Sequence, residues 1–225
     1  MNYWDAFKEA WKAGRQAWYE NLNGPAPKPG RIWSPMEERA AVHEVGHALT
    51  AWTGHPYVTS INKITIEDSI GSGMVLYTRS GHKNSAKIDL LWCECMVNLG
   101  GIAAEMVRYK KTRSGPAARD LENARDNAKR IVKLGGTDNA PWDTAEVARL
   151  ADTPFDVSKM LRSIKSGTPE AQVMNRAYDR AKFLIMTNEK TRARLLEALL
   201  RHGTMGPAEV KAVLGARHFH MRSVG

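Results

Sequence analysis

Residues 41–52 read AVHEVGHALTAW, and this stretch decides how the rest of the chain is interpreted. It contains the pattern His43-Glu44-Val45-Gly46-His47, with two histidines four residues apart. On a helix both imidazoles lie on one face and can bind one metal ion. Glu44 lies about 60° from His47 around the helix axis. Its carboxylate can therefore reach a metal-bound water without being a ligand. The stretch predicts a zinc site that activates water for peptide hydrolysis, with Glu44 as general base.

The flanking residues predict that this stretch is the first core helix of a mainly α fold with a small β-sheet or hairpin (α+β). Ser34-Pro35-Met36-Glu37 is typical of a helix start, and Gly54-His55-Pro56 of its end. Alternating β-branched residues predict strands near 58–67 and 74–78. Beyond residue 84 the pattern predicts helices near 87–109 (with a soft break at Gly100-Gly101), 116–134, 169–186, 188–202 and from 207.

A catalytic zinc needs a third protein ligand, and spacing alone leaves several carboxylates open. The position six residues after His47 is Thr53, which excludes a third histidine there. Glu67 follows His47 by 20 residues, a spacing known from other zinc hydrolases, but its segment is strand-like. Glu105 ends an apolar run in which a charge needs a partner. Asp120 lies near a helix start, where the helix dipole favours a carboxylate.

Three segments together resemble the peptidase domain of the FtsH-type ATP-dependent zinc metalloproteases. They are HEVGHAL at 43–49, LGGIAAE at 99–105 and TRSGPAARDL at 112–121. The family order is HEAGHA, GGRxAEE and TTGAxxDL, and the predicted hairpin between the first two also fits. The resemblance covers roughly residues 35–214, and it implies one Zn²⁺ per chain held by His43, His47 and Asp120. It further implies that Glu44 is the general base and that Glu105 orients a histidine or balances the charge of the metal.

The resemblance also implies the substrate and its limits. A peptide or unfolded protein would be cleaved by a metallo-endopeptidase, with extended substrate added to a strand near 72–76. In that family the domain is coupled to a membrane anchor and an ATP-driven unfoldase and forms rings. This chain has no G-x-x-x-x-G-K-[ST] segment, so we expect no ATP site and a stand-alone domain, with a homo-oligomer left open. Ile102 and Met106 depart from the family pattern, which keeps a zinc-binding but catalytically weak or inactive interaction protein as the alternative.

The chain divides by composition into three parts. Residues 1–33 form an amphipathic helix at 3–20 followed by a Pro/Gly linker, residues 34–215 form the metallopeptidase-like domain, and residues 216–225 form a flexible basic tail. The aromatic stripe of the first helix predicts docking on the domain, with a peripheral membrane or partner contact as the alternative.

Charge and cysteine content indicate the compartment and partners. The net charge is +9, but Lys and Arg are spread along the chain without a nucleic-acid-binding motif, so nucleic acid is not an expected partner. The two cysteines, Cys93 and Cys95, cannot link distant segments, which is typical of a reducing compartment. The sequence shows no secretory signal and no run of about 18 uninterrupted apolar residues, so we expect a cytoplasmic protein, with a membrane-peripheral one as the alternative.

Overall fold

The computed structural model describes residues 33–54, 57–66, 73–79, 86–112, 114–142 and 167–215. The predicted helix at 3–20, the linker, Glu67 and the tail lie outside these residues, and the division at 33 and 215 stays a prediction. The predicted class is confirmed: the described residues form mainly helices, with one small sheet. The elements in chain order are α1 (Pro35–Thr53), β1 (Val58–Thr65), β2 (Met74–Arg79), α2 (Ala86–Tyr109), α3 (Ser114–Lys133), α4 (Pro169–Thr187), α5 (Glu189–His202), β3 (Thr204–Met205) and α6 (Pro207–Leu214).

Helix α1 begins where the sequence predicts, because its first turn has a complete capping box. The Ser34 backbone N–H donates to Oε2 of Glu37 (2.8 Å), and the Glu37 N–H donates to Oγ of Ser34 (3.2 Å). Two N–H groups that the helix itself cannot satisfy are thus paired. The helix ends at Gly54, whose N–H donates to the carbonyls of Thr50 and Ala51. Residues 40–51 are all buried, so the two histidines lie inside the fold.

The sheet has three antiparallel strands in the order β2-β1-β3. The register of β1 shifts twice, between Val58 and Ser60 and between Ile61 and Lys63. These bulges replace strict alternation, so the buried residues of β1 recur every third position. The two-residue β3 is too short to leave a sequence pattern and was not predicted. Strand β2 is an edge strand of this sheet, and it faces the region of α1 that carries the histidines.

Helix α2 is the central helix, and it packs against α1, α3 and α4. The predicted break at Gly100-Gly101 is wrong, because the helix is continuous from Ala86 to Tyr109. At these two glycines, which have no side chain, the neighbouring helix α1 packs closely against α2 and stabilises the helical backbone. By length and composition residues 87–109 could cross a membrane, but 78% of the apolar window is buried inside the protein, as in a core helix.

The two cysteines lie on α2 and are fully buried. The Sγ atom of Cys93 is 3.5 Å from the Gly54 carbonyl, and that of Cys95 is 3.5 Å from the Ala124 carbonyl. Burial raises the pKa of both thiols, that of Cys93 to about 12. The two side chains therefore fill separate parts of the core as neutral thiols.

Candidate metal centre

Three side chains from two helices converge on one point. Nε2 of His43 is 3.0 Å from Nε2 of His47, and both nitrogens approach Oδ2 of Asp120, at 2.8 and 3.3 Å. The histidines come from α1 and the aspartate from the first turns of α3. Among the residues described in the structure, these three form the one group of His, Cys, Asp and Glu side chains that could hold a metal ion.

The hydrogen bonds of the histidines fix which nitrogen faces this point. Nδ1 of His47 lies 2.7 Å from the carbonyl oxygen of Val97, which can only accept, so this nitrogen carries the proton. Nδ1 of His43 lies 2.8 Å from Oε1 of Glu105, a carboxylate that likewise accepts. In the neutral rings both Nε2 atoms then point lone pairs at each other and at the Asp120 carboxylate.

Three electron-pair donors this close repel one another unless a cation lies between them. Two imidazole nitrogens and one carboxylate oxygen are a ligand set used by catalytic zinc, which keeps its fourth position open. In a tetrahedral site with bonds of about 2.0–2.1 Å the ligand atoms are roughly 3.3–3.4 Å apart, close to the separations seen here. The donor set therefore fits Zn²⁺ with small outward movements of the side chains.

The charges around the point favour a cation. Burial alone would lower the pKa of His43, but the hydrogen bonds to Asp120 and Glu105, with the charges of Glu44 and Asp120, raise it to about 10. Burial likewise opposes ionisation of Asp120, yet the two histidines hold its pKa well below the usual range. A proton on His43 thus occupies the place that a metal ion would take, because the carboxylates stabilise positive charge there.

Glu105 lies behind His43, away from the point of convergence. Its Oε1 binds Nδ1 of His43, and its Oε2 accepts a 2.7 Å hydrogen bond from Nε of Arg39. Burial opposes ionisation of this carboxyl, but the bonds to His43 and Arg39 lower its pKa. Arg39 also donates to the Lys111 carbonyl (2.7 Å), in the connection that leads to α3. This arrangement fits a residue that orients a ligand rather than one that binds the metal.

Glu44 is buried beside the two histidines, and β2 begins next to it. Burial raises the pKa of Glu44, and the nearby charges of His47 and His43 offset part of that rise. A Cβ placed on Gly73 would collide with the side chain of Glu44, so glycine lets the start of the edge strand approach this carboxylate.

The structure brings together four of the six predicted site residues at the centre, places Glu105 behind it, and does not describe Glu67. Sequence reasoning missed Arg39, the Val97 carbonyl and Gly73. A backbone carbonyl leaves no sequence signal, and an arginine among 33 basic residues is not distinctive. Gly73 could have been noted as a glycine that opens a predicted strand.

Comparisons with known proteins show which family and which relatives the sequence resembles. The sequence profile of Peptidase family M41 matches residues 32–213. An ATP-dependent zinc metalloprotease YME1 homolog from Caenorhabditis elegans is 28% identical over 211 residues, covering 87% of this chain and 28% of the relative. ATP-dependent zinc metalloprotease FtsH 2 from Symbiobacterium thermophilum is 30% identical over 207 residues, covering 86% of this chain and 32% of the relative. The chain thus spans about a third or less of the length of the curated relatives that it matches.

Proposed function

Because the chain belongs to peptidase family M41, a family of zinc metallopeptidases, we propose that it is a zinc-dependent metallo-endopeptidase. In this proposal one Zn²⁺ per chain is held by His43, His47 and Asp120. The observation that carries the proposal is the convergence of three electron-pair donors, at 2.8–3.3 Å, beside a buried glutamate. A purely structural zinc site would have no chemical need for Glu44.

Glu44, Glu105 and the Val97 carbonyl have separate roles in the proposed hydrolysis. Zinc in such a site supplies a Lewis acid that polarises a carbonyl group and acidifies water. Glu44 accepts the proton of the attacking water and passes it to the leaving amine, and its burial keeps its carboxylate basic enough for this. The Val97 carbonyl and Glu105 keep each histidine in the tautomer that presents Nε2.

The edge strand β2 is suited to hold the substrate. Its outer edge offers backbone N–H and C=O groups to an extended peptide, and Gly73 brings that edge to Glu44. Such binding reads the peptide backbone and requires an unfolded segment. We therefore propose peptides, flexible segments and unfolded proteins as substrates, without an ATP site in this chain. A homo-oligomer, a cytoplasmic or membrane-peripheral location and a contact through residues 3–20 belong to the same proposal.

The first test compares the natural chain with Glu44→Gln. We expect both proteins to hold one zinc by elemental analysis. Cleavage of casein or a fluorogenic peptide should fall at least 100-fold in the variant, because it lacks the general base. Glu122→Gln, an exposed glutamate on α3, is the matched control and should cleave like the natural chain. If the natural chain binds zinc but cleaves neither casein nor the peptide, the alternative function, a zinc-binding interaction or regulatory protein, replaces the proposal.

The second test concerns the third ligand. Asp120→Ala should weaken zinc binding by more than 100-fold in a chelator competition, because it removes one of three protein ligands. Glu67→Ala and Glu122→Ala should leave the affinity within about twofold. Equal losses in Asp120→Ala and Glu67→Ala would contradict the proposed ligand set.

A further inference from the structure

A polar cavity of about 270 Å³ lies beside the candidate metal centre, between β2, α2 and α3. Strand β2 contributes Tyr77 and Arg79, and α2 contributes Glu94 and Asn98. The rest of the lining comes from one face of α3, including Asn127 and Arg130. None of these residues has a role in the chemistry proposed above. We refer to this space as the polar cavity.

Helix α3 connects the polar cavity to the metal centre. Asn123 and Asn127 follow Asp120 by three and seven residues, so the three side chains share one face of the helix. At 1.5 Å per residue the cavity begins about 5 Å from Asp120 along the axis and reaches Arg130 at about 15 Å. The cavity and the metal centre are therefore neighbouring sections of one surface.

Strand β2 makes the same connection independently. Gly73 lies against Glu44, while Tyr77 and Arg79 line the polar cavity. At about 3.3 Å per residue, these two positions are about 13 and 20 Å further along the strand. An extended peptide paired with β2 would thus place a side chain roughly four to six residues from its scissile bond into the cavity.

The charged groups of the lining are paired, with one exception among the described residues. Nε of Arg79 binds Oε1 of the buried Glu94 at 2.7 Å, so that these two charges cancel. The exposed Asp126, one turn before Arg130 on α3, also lines the cavity and binds Nζ of Lys129 at 3.1 Å. Arg130 makes no side-chain hydrogen bond or ion pair with any described residue. The lining thus carries two basic and two acidic side chains, and Arg130 is the basic one with no ion pair to a described residue, so it can bind an anionic group.

Neutral donors surround this cation. Asn127 is only 8% exposed as a residue, and its carboxamide makes no hydrogen bond to another described residue. The carboxamides of Asn98 and Asn123 likewise make no hydrogen bond to a described residue. Burial raises the pKa of Tyr77 to about 12, so its phenol stays a donor. The carboxamides and the phenol that line the cavity favour a ligand with hydrogen-bonding atoms.

We propose that the polar cavity is a specificity subsite for an acidic side chain of the peptide substrate, Asp or Glu, held by Arg130 and the neighbouring carboxamides. The inference rests on the proposed peptidase function. Arg130 and Asn127 would bind the carboxylate through a charge-assisted and a neutral hydrogen bond. Selectivity over lysine follows from the positive charge of Arg130, and selectivity over alanine from the hydrogen bonds that alanine cannot make.

The test is a set of fluorogenic peptides in which Glu, Gln, Ala or Lys is moved through six positions on each side of the cleaved bond. We expect the natural chain to prefer Glu at one position, roughly four to six residues from that bond. In Arg130→Gln, the ratio of kcat/KM for the Glu peptide to kcat/KM for the Ala peptide should fall about tenfold. In Arg130→Glu, the preference at that position should change to Lys. Lys133→Gln removes the same charge three residues further along α3, outside the cavity lining, and should keep the ratio.

The outcomes separate this inference from the proposed function. Cleavage without a preference for Glu at any position, or an equal change of the ratio in Arg130→Gln and Lys133→Gln, would overturn the subsite but leave the peptidase intact. If no peptide is cleaved, the peptidase proposal fails, and the subsite is tested by fluorescence anisotropy. The Glu-containing peptides should then bind the natural chain about tenfold more tightly than Arg130→Gln, and equal binding would overturn the subsite.

Discussion

At the scale of single residues, Asp179 on α4 has a carboxyl group whose ionisation is opposed by burial. Its Oδ1 atom is buried and, among the described residues, has no hydrogen-bond partner. Burial raises the pKa of Asp179 to about 6, although the charge of Lys182 lowers it in part. Ionisation of this group therefore requires more free energy in the folded protein than in the unfolded chain.

This cost makes stability depend on pH in a definite direction. The folded-state pKa lies above the unfolded value of about 3.9, so the folded state binds more protons between these values. The contribution of Asp179 is fully favourable below about pH 4 and is lost as pH rises through about 6. Asp179→Asn should raise the free energy of unfolding by about 1 kcal/mol at pH 7.5, after allowance for its partial exposure, with a smaller gain at pH 5.

Thermal unfolding of the natural chain and Asp179→Asn at both pH values measures this difference. We expect the Tm to rise by about 2–4 °C at pH 7.5. Asp138→Asn, at a side chain that is 85% exposed, is the control and should show no such gain. A gain for Asp179→Asn that is equal at pH 5 and pH 7.5 would show that ionisation is not the cause.

At the scale of elements, the close approach of α1 and α2 gives the glycines of both motifs a physical role. A Cβ on Gly46 would collide with the Gly100 carbonyl, and one on Gly100 would lie 2.7 Å from the Gly46 carbonyl. A Cβ on Gly101 would instead lie 2.6 Å from Nε2 of His43. Adjacent glycines on α2 thus serve different functions, since Gly100 allows the helices to pack and Gly101 leaves room for a ligand ring.

This division predicts different effects for two neighbouring substitutions. Gly101→Ala should weaken zinc binding by about 10- to 100-fold, because it displaces the His43 ring. Gly100→Ala should mainly lower stability, by about 1–3 kcal/mol, because it forces the two backbones apart. Zinc affinity by chelator competition and urea unfolding of both variants test the prediction. If both substitutions reduce affinity and stability in the same proportion, the division is wrong.

The same elements show how far the sequence could predict the fold. Capping residues and apolar spacing predicted α1 within a residue, because those signals are local. The Gly100-Gly101 pair predicted a break that does not occur, since the packing against α1 is tertiary and invisible in the sequence. The short β3 forms by pairing with β1, 139 residues away, and it has no local pattern of its own. The place of Asp120 came from a resemblance; by spacing alone Glu67 and Glu105 were equally open.

At the scale of the whole molecule, the candidate metal centre joins parts of the chain that are distant in sequence. The histidines belong to α1, whereas Asp120 lies 73 residues beyond His47, on the far side of the hairpin and α2. A metal ion that binds this arrangement and not the unfolded chain stabilises the entire fold by mass action. The size of the effect is set by the ratio of free metal to its dissociation constant.

Removal of zinc should therefore lower the stability of the whole domain. With zinc at about 1,000 times its dissociation constant, the stabilisation is about 4 kcal/mol, which corresponds to a fall in Tm of roughly 10 °C on chelation. Differential scanning calorimetry with EDTA and with added zinc measures it. His43→Ala should lose this response, while Glu44→Gln should keep it. An unchanged Tm in the natural chain would contradict zinc binding at this centre.

The bonds of Arg39 have a consequence for protein engineering. Arg39 lies one turn before His43 on α1 and holds both Glu105 on α2 and the backbone that leads to α3. Anyone who wishes to transplant the site to a designed scaffold would have to reproduce three helices in register, with the five-residue pattern as only one part. The smallest unit that could be transplanted is this three-helix framework, because a short motif does not include the partly buried ion pair of Arg39 and Glu105.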